Sequence, residues 1–275
     1  MLCISKGNTT KYFTLAATLF GALIMASTAN AQDLPQLLED IEVTSSIDTV
    51  SEYVFRGVSL GSSSVQPGTE FSVYGFTAGS WYSAGFGENS AVQLDELDLY
   101  VGYSLPLNGP VQVDLVGTYY FFPQAGDFLE TDGGSVGSFE VGGTVGLGDV
   151  FLSPSVSAYY DFTLENFTIE GGISHSFDLP REGWTLDASL TGGHVELDQE
   201  VVLSTIDKAF DSYQYGTVSL AANKAITDNL SFYVSGNFTG NTEDDTLDFD
   251  IDNLPTGIND SSSVFWIGSG ISISY

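Results

Sequence analysis

Between 96 and 105 apolar and polar residues alternate without a break, and this period of two constrains the fold more than any other feature of the chain. Leu97, Leu99, Val101, Tyr103 and Leu105 fall on one face, with Glu96, Asp98, Tyr100, Gly102 and Ser104 on the other, as in a β-strand. The pattern resumes at 111–121, and the intervening Pro106-Leu107-Asn108-Gly109-Pro110 reads as a tight turn, so the two runs form a hairpin. Further runs lie at 139–147, 150–161, 167–177, 184–195, 213–224, 230–238 and 264–275. Each is about 9 to 12 residues, the length a tilted strand needs to cross a bilayer. Strands of soluble sandwiches are shorter, about 5 to 6 residues.

A first strand over 47–58 and a hairpin within 70–86 bring the number to twelve. Connections after the even-numbered strands are then short, whereas those at 123–136, 196–212 and 239–263 are long. Outer-membrane barrels have this asymmetry of short periplasmic turns and longer outer loops. Merging the early hairpin, whose strands are about eight residues each, would scramble the parity. The expected fold is therefore all-β: a transmembrane antiparallel up-and-down β-barrel of about 12 strands, with both termini periplasmic. The last strand alternates to a terminal aromatic, and Ile271, Ile273 and Tyr275 read as a C-terminal signal for the barrel-assembly machinery.

The N-terminus fits that destination. Lys6 and Lys11 precede an apolar run over 12–25, and Ala29-Asn30-Ala31 offers cleavage after Ala31. Residues 1–31 read as a secretory signal peptide, and 32–275 as the barrel, with a short periplasmic segment at 32–42. The expected location is the outer membrane of a Gram-negative bacterium. Cleavage removes two lysines and no acidic residue, taking the formal charge from −30 to −32. Such a chain repels phosphate backbones, which argues against nucleic-acid partners. Cys3 leaves with the signal, so disulfides, thiolate metal sites and cysteine nucleophiles are excluded from the mature chain. No cofactor is expected.

Four segments carry a family resemblance: Glu52-Tyr53-Val54-Phe55-Arg56-Gly57-Val58-Ser59, Gly79-Ser80-Trp81, Glu96-Leu97-Asp98-Leu99-Tyr100-Val101-Gly102-Tyr103 and Tyr119-Tyr120-Phe121-Phe122-Pro123. In this order they resemble conserved blocks of the TorF-family porins, over about residues 45–125. The resemblance implies an outer-membrane barrel with a channel role, and it brings no catalytic residues and no named solute. The long acidic loops at 196–212 and 239–263 depart from the family pattern, so loop-dependent selectivity does not carry over.

Alternation places Asp48, Glu52, Glu96, Asp98, Asp114, Glu140, Asp161, Glu170 and Asp187 on the inward face, with Arg56 as the main inward cation. In 51–60, Tyr53 and Phe55 are assigned to the lipid face and Glu52, Val54 and Arg56 to the lumen. A cation on the lipid face costs about 2 to 4 kcal/mol at mid-membrane. A narrow lumen of this sign favours cations. Tyr100, Tyr120, Tyr159, Tyr233 and Trp266 also point inward and either fill the lumen or line it. The expected function is a porin passing small hydrophilic solutes with cation preference. The alternative is a non-conducting structural or adhesive barrel with acidic external loops bridged by divalent cations to lipopolysaccharide.

An enzymatic reading rests on His175-Ser176, but adjacent strand residues face opposite ways, so His175 is assigned outward to the membrane interface and Ser176 inward, which disfavours a catalytic dyad. His194 receives a similar structural assignment. Asp248, Asp250 and Asp252 begin like a calcium loop, yet Asn253 and Asn259 stand where an EF-hand needs Gly and Glu. They remain candidate cation ligands and no firm metal site is assigned. The pairs Gly142-Gly143, Gly171-Gly172 and Gly192-Gly193 lack the context of phosphate loops and are assigned to close strand approach.

Overall fold

The computed structural model describes residues 40–86, 95–124, 137–148, 150–197, 212–242 and 262–275. Its strands in chain order are β1 (Glu42–Val50), β2 (Tyr53–Phe55), β3 (Val58–Gly61), β4 (Ser64–Val73), β5 (Phe76–Gly85), β6 (Glu96–Ser104) and β7 (Val111–Phe121). There follow β8 (Gly137–Leu147), β9 (Ser155–Asp161), β10 (Asn166–Asp178), β11 (Trp184–Glu196), β12 (Ser212–Ala225), β13 (Leu230–Asn241) and β14 (Ser263–Ser274).

All but β2 and β3 pair antiparallel with their neighbours into a closed barrel of twelve strands. Closure is made by β1, where Ile47 lies opposite Pro67 on β4 and Ile271 on β14. Val43 and Tyr275 exchange both backbone hydrogen bonds at 3.0 Å, so pairing continues to the last residue. No barrel edge is left to recruit another chain. The ladder between β4 and β5 is interrupted at Gln66 and Pro67 without a change of register, because proline has no N–H to donate.

The two faces follow the alternation. Phe71, Leu115, Val145, Val156, Ile169, Leu190, Val218, Val234, Phe265 and Ile267 are exposed on the outside. The carboxylates of β6, β8 and β10 point in, where they meet hydroxyls and tyrosines. An apolar exterior around a polar interior inverts the arrangement of a soluble protein and suits a hydrocarbon surround. The strands of the early hairpin, β4 and β5, are 10 residues each rather than about eight. Tyr74 and Gly75, both at positive φ, make their two-residue turn.

Four inward tyrosines lie against glycines on neighbouring strands: Tyr100 on Gly79, Tyr159 on Gly142, Tyr215 on Gly193 and Tyr233 on Gly270. A Cβ at any of these glycines would lie between 2.1 and 2.6 Å from the ring, inside van der Waals contact. The glycines let the rings lie flat along the wall instead of projecting across the lumen.

The first expected strand is the main correction. The barrel strand is β1, ending at Val50, and the chain then turns inward as the β2–β3 hairpin before returning to the wall at Ser64. Tyr53 and Phe55, assigned above to the lipid face, are inside the barrel. The physical reason is a two-residue turn at Arg56 and Gly57, with φ of 45° and 82°. Two consecutive positive-φ residues give the twist that lets short strands fold back on each other. Arg56 therefore points inward because a loop carries it there, not because β1 must keep a charge out of lipid. The expected strand from 150 likewise starts later, at Ser155.

Candidate functional site in the barrel lumen

The hairpin crosses the lumen from β1 and β4 and docks on the opposite wall. Val58 joins Val195, Tyr213 and Tyr215 in the main buried apolar cluster, with Leu60 and Leu197 packed against it. Tyr53 is buried; its ring lies 5.5 Å from that of Trp81, and its hydroxyl donates to Glu96 at 2.8 Å. Asn241 donates to the Gly57 carbonyl at 2.9 Å. Ser59 donates to Glu52 across the hairpin base. These contacts reach β5, β6, β11, β12 and β13, fixing an element too short to be stable alone.

At the tip, Arg56 donates two parallel hydrogen bonds to Glu140 on β8, at 2.7 and 2.8 Å. Tyr120 on β7 donates to the same carboxylate at 3.1 Å. The guanidinium lies 4.7 Å from the ring centroids of both Phe55 and Tyr159, and Phe55 packs edge-on against Tyr120. Burial works against the charged form of Arg56, but the Glu140 hydrogen bonds and charge outweigh it and hold the guanidinium pKa above its ordinary value. Burial first, then the Glu96 charge and hydrogen bond, push the Tyr53 phenol above its usual range.

Beside the tip is a cavity of about 310 Å³, bounded by Phe55, Arg56, Tyr120, Glu140, Tyr159 and Glu170, and extending along β7 to Thr118 and Val116. The Tyr215 hydroxyl donates to Glu170. Of the residues expected to face the lumen, Arg56, Glu140 and Glu170 thus meet at one place. Glu96 and Asp98 stand beside it on β6, and the Asp98 Oδ1 is buried without a hydrogen-bond partner.

The others lie elsewhere. Asp114 accepts from Ser104 at 2.6 Å, and Asp187 accepts from Ser176 at 2.6 Å and Asn223 at 2.8 Å, both near the end with short turns. Asp161 serves its own turn instead, where its Oδ1 accepts the Thr163 and Leu164 amides at 2.8 Å and caps the passage into β10. Glu70, absent from the expected inward set, faces in and accepts from Tyr100 at 3.0 Å; its alternation with Phe71 was the available signal. His175 packs its ring on Phe151 and Phe177 at 5.0 and 4.6 Å, while the neighbouring Ser176 hydroxyl is held by Asp187, so the two side chains have separate partners. Ala31 and the candidate ligands Asp248, Asp250 and Asp252 lie outside the described residues.

A closed twelve-stranded barrel with an apolar exterior and a polar lumen belongs to the class of outer-membrane porin-like barrels. Residues 39–268 match the family model described as a bacterial protein of unknown function (Gcw_chp), and the chain belongs to that family. No curated protein matches it significantly in sequence. Among solved structures, the NanC porin aligns over 85% of this chain and 98% of its own at 10% identity, with a TM-score of 0.50. The KdgM porin, solved with disordered oligogalacturonate, aligns over 85% and 99% at 9% identity, TM-score 0.49. The COG4313 outer-membrane channel from Pseudomonas putida F1 aligns over 86% and 94% at 11% identity, TM-score 0.44. At such identities the likeness is one of fold.

Proposed function

We propose that this chain is a channel in the outer membrane of a Gram-negative bacterium, passing small hydrophilic solutes with a preference for cations. The observation that carries the reading is the charge of the lumen. Glu70, Asp114, Glu140, Glu170 and Asp187 face it, and Arg56 is the cation there among the described residues, already neutralised by Glu140. Arg181 and Lys224 sit at the short-turn end, against Trp184 and the Glu182 carbonyl. Low-dielectric walls focus the field of the remaining carboxylates along the pore axis.

On this reading the β2–β3 hairpin narrows the path, and the wall-hugging tyrosines keep the remaining cross-section free. The signal peptide, the C-terminal assembly signal and contact of the acidic loops with lipopolysaccharide through divalent ions belong to the same proposal. Planar-bilayer recording in a salt gradient tests it: the reversal potential should have the sign of cation preference. Anion preference would remove the charge argument while leaving a pore. Absence of single-channel conductance in a folded sample would favour the second reading, a non-conducting barrel, for which the observation is the hairpin seated in the lumen.

A further inference from the structure

Arg56 sits in a receptor built for its own kind of head group. Two aromatic rings meet the guanidinium at 4.7 Å, one carboxylate takes its N–H fork, and a tyrosine hydroxyl steadies that carboxylate. Aromatic faces with a carboxylate at the edge are the elements that bind a planar organic cation. Here the occupant is the chain itself.

The adjoining cavity shares these rings and adds a second carboxylate. Tyr159, Tyr120 and Phe55 border it as they border Arg56, and Glu170 supplies a carboxylate that forms no ion pair among the described residues. Tyr215 orients one of its oxygens as Tyr120 orients Glu140. We propose that this cavity binds small organic monocations bearing a guanidinium or alkylammonium group, with Glu170 as counter-charge and the Tyr159 ring, shared with Arg56, along one side. Arg56 is then a tethered occupant of the adjoining half of one larger site.

Size and charge define the ligand class. A volume of 310 Å³ is about ten times the liquid volume of a water molecule, which suits a solute of roughly ten heavy atoms. Anions meet the Glu170 carboxylate, and neutral solutes bring it no counter-charge. The inference rests on the channel reading only in placing the site on a solute path, since binding itself needs nothing but the folded barrel.

Calorimetric titration of the folded, detergent-solubilised protein with butylguanidinium, a monocation, tests it, with urea as a neutral control of similar head-group shape. Butylguanidinium should bind saturably and urea should not. Glu170→Gln should weaken butylguanidinium binding about tenfold, the loss of one charge-assisted contact. Tyr159→Leu should weaken it less, and Arg56→Ala, by vacating the Glu140 cage, should raise the stoichiometry from one to two. Heat-modifiable gel mobility shows which variants are folded; if Glu170→Gln is not, the Tyr159→Leu affinity and the Arg56→Ala stoichiometry decide. No saturable binding, equal binding of urea, or an affinity indifferent to both Glu170→Gln and Tyr159→Leu overturns the proposal. Conductance of the same sample separates the two readings. A barrel that binds butylguanidinium but does not conduct refutes the channel and keeps the site, and one that conducts without binding does the reverse.

Discussion

At the scale of single residues, the pair Arg56–Glu140 is the most consequential contact in the lumen. Both side chains are largely removed from solvent, at 14% and 7% exposure, so each depends on the other to be tolerated there. Removing one partner of such a pair typically costs about 3 to 5 kcal/mol, whereas replacing both with apolar groups of similar size is close to neutral. Arg56→Ala should therefore loosen the hairpin and raise cation selectivity by exposing Glu140, with the twelve-stranded wall still assembled. Adding Glu140→Gln in the same chain should bring selectivity back toward wild type. The reversal potentials of the single and double variants check this; loss of heat-modifiable mobility in Arg56→Ala would instead assign the pair to barrel assembly. Gly142 has a steric role of the same weight. A methyl there would lie 2.1 Å from the Tyr159 ring and 3.0 Å from the Ala158 carbonyl, so Gly142→Ala should drive the ring off the wall into the cavity. Overpacking of this kind costs about 1 to 3 kcal/mol. Single-channel conductance should fall in that variant and recover when Tyr159→Ala is added.

At the scale of elements, the β2–β3 hairpin is an inward-folded element held by the chemistry of its tip. Its tip needs Gly57 twice over: φ is 82°, and a Cβ would come 2.3 Å from the Cβ of Tyr215. Gly57→Ala should cost at least about 1 to 2 kcal/mol from the backbone alone and release the tip from the β12 wall. Conductance should rise toward that of a variant in which residues 53–61 are replaced by a short Gly-Ser linker; an unchanged conductance in the linker variant would mean that the hairpin does not narrow the path. The same element marks the limit of what alternation can reveal. The strands of the wall were legible because one face meets lipid and the other water, which imposes a period of two over nearly every span. The hairpin lies inside the barrel with neither face on lipid, so its alternation carries no lipid-against-lumen meaning, and Tyr53 and Phe55 could not be oriented by it. The usable signal was local: Arg56-Gly57 between two β-favouring triplets, with Gly at the second turn position as in an Asn-Gly hairpin. Alternation assigns carboxylates such as Glu140 and Glu170 to the inward face, but that face alone cannot say which of them share a cavity. Their meeting depends on the cross-strand register and on the hairpin reaching both.

At the scale of the whole molecule, the proposed channel distributes its charge in a way that should make selectivity depend on salt. Glu70, Asp114 and Asp187 each stand four residues from a short turn, and Glu170 stands beside the hairpin, so on the channel reading carboxylates flank the path at both levels. Most of these groups act across water rather than by direct ligation, and their reach is set by screening: about 10 Å at 0.1 M salt but about 3 Å at 1 M. In a barrel this narrow, the first length spans much of the lumen and the second does not extend beyond the immediate wall. The cation-to-anion permeability ratio should therefore be well above unity in dilute potassium chloride and fall toward unity as the salt is raised. The salt series, read from reversal potentials at a fixed gradient ratio, also locates the filter. If the distributed carboxylates set selectivity, Asp114→Asn with Asp187→Asn should lower the ratio at 0.1 M and leave it unchanged at 1 M, where those charges are already screened. If selectivity resides only in the close quarters of the hairpin, the ratio should resist both the salt and the two distant substitutions, and respond to Glu170→Gln alone.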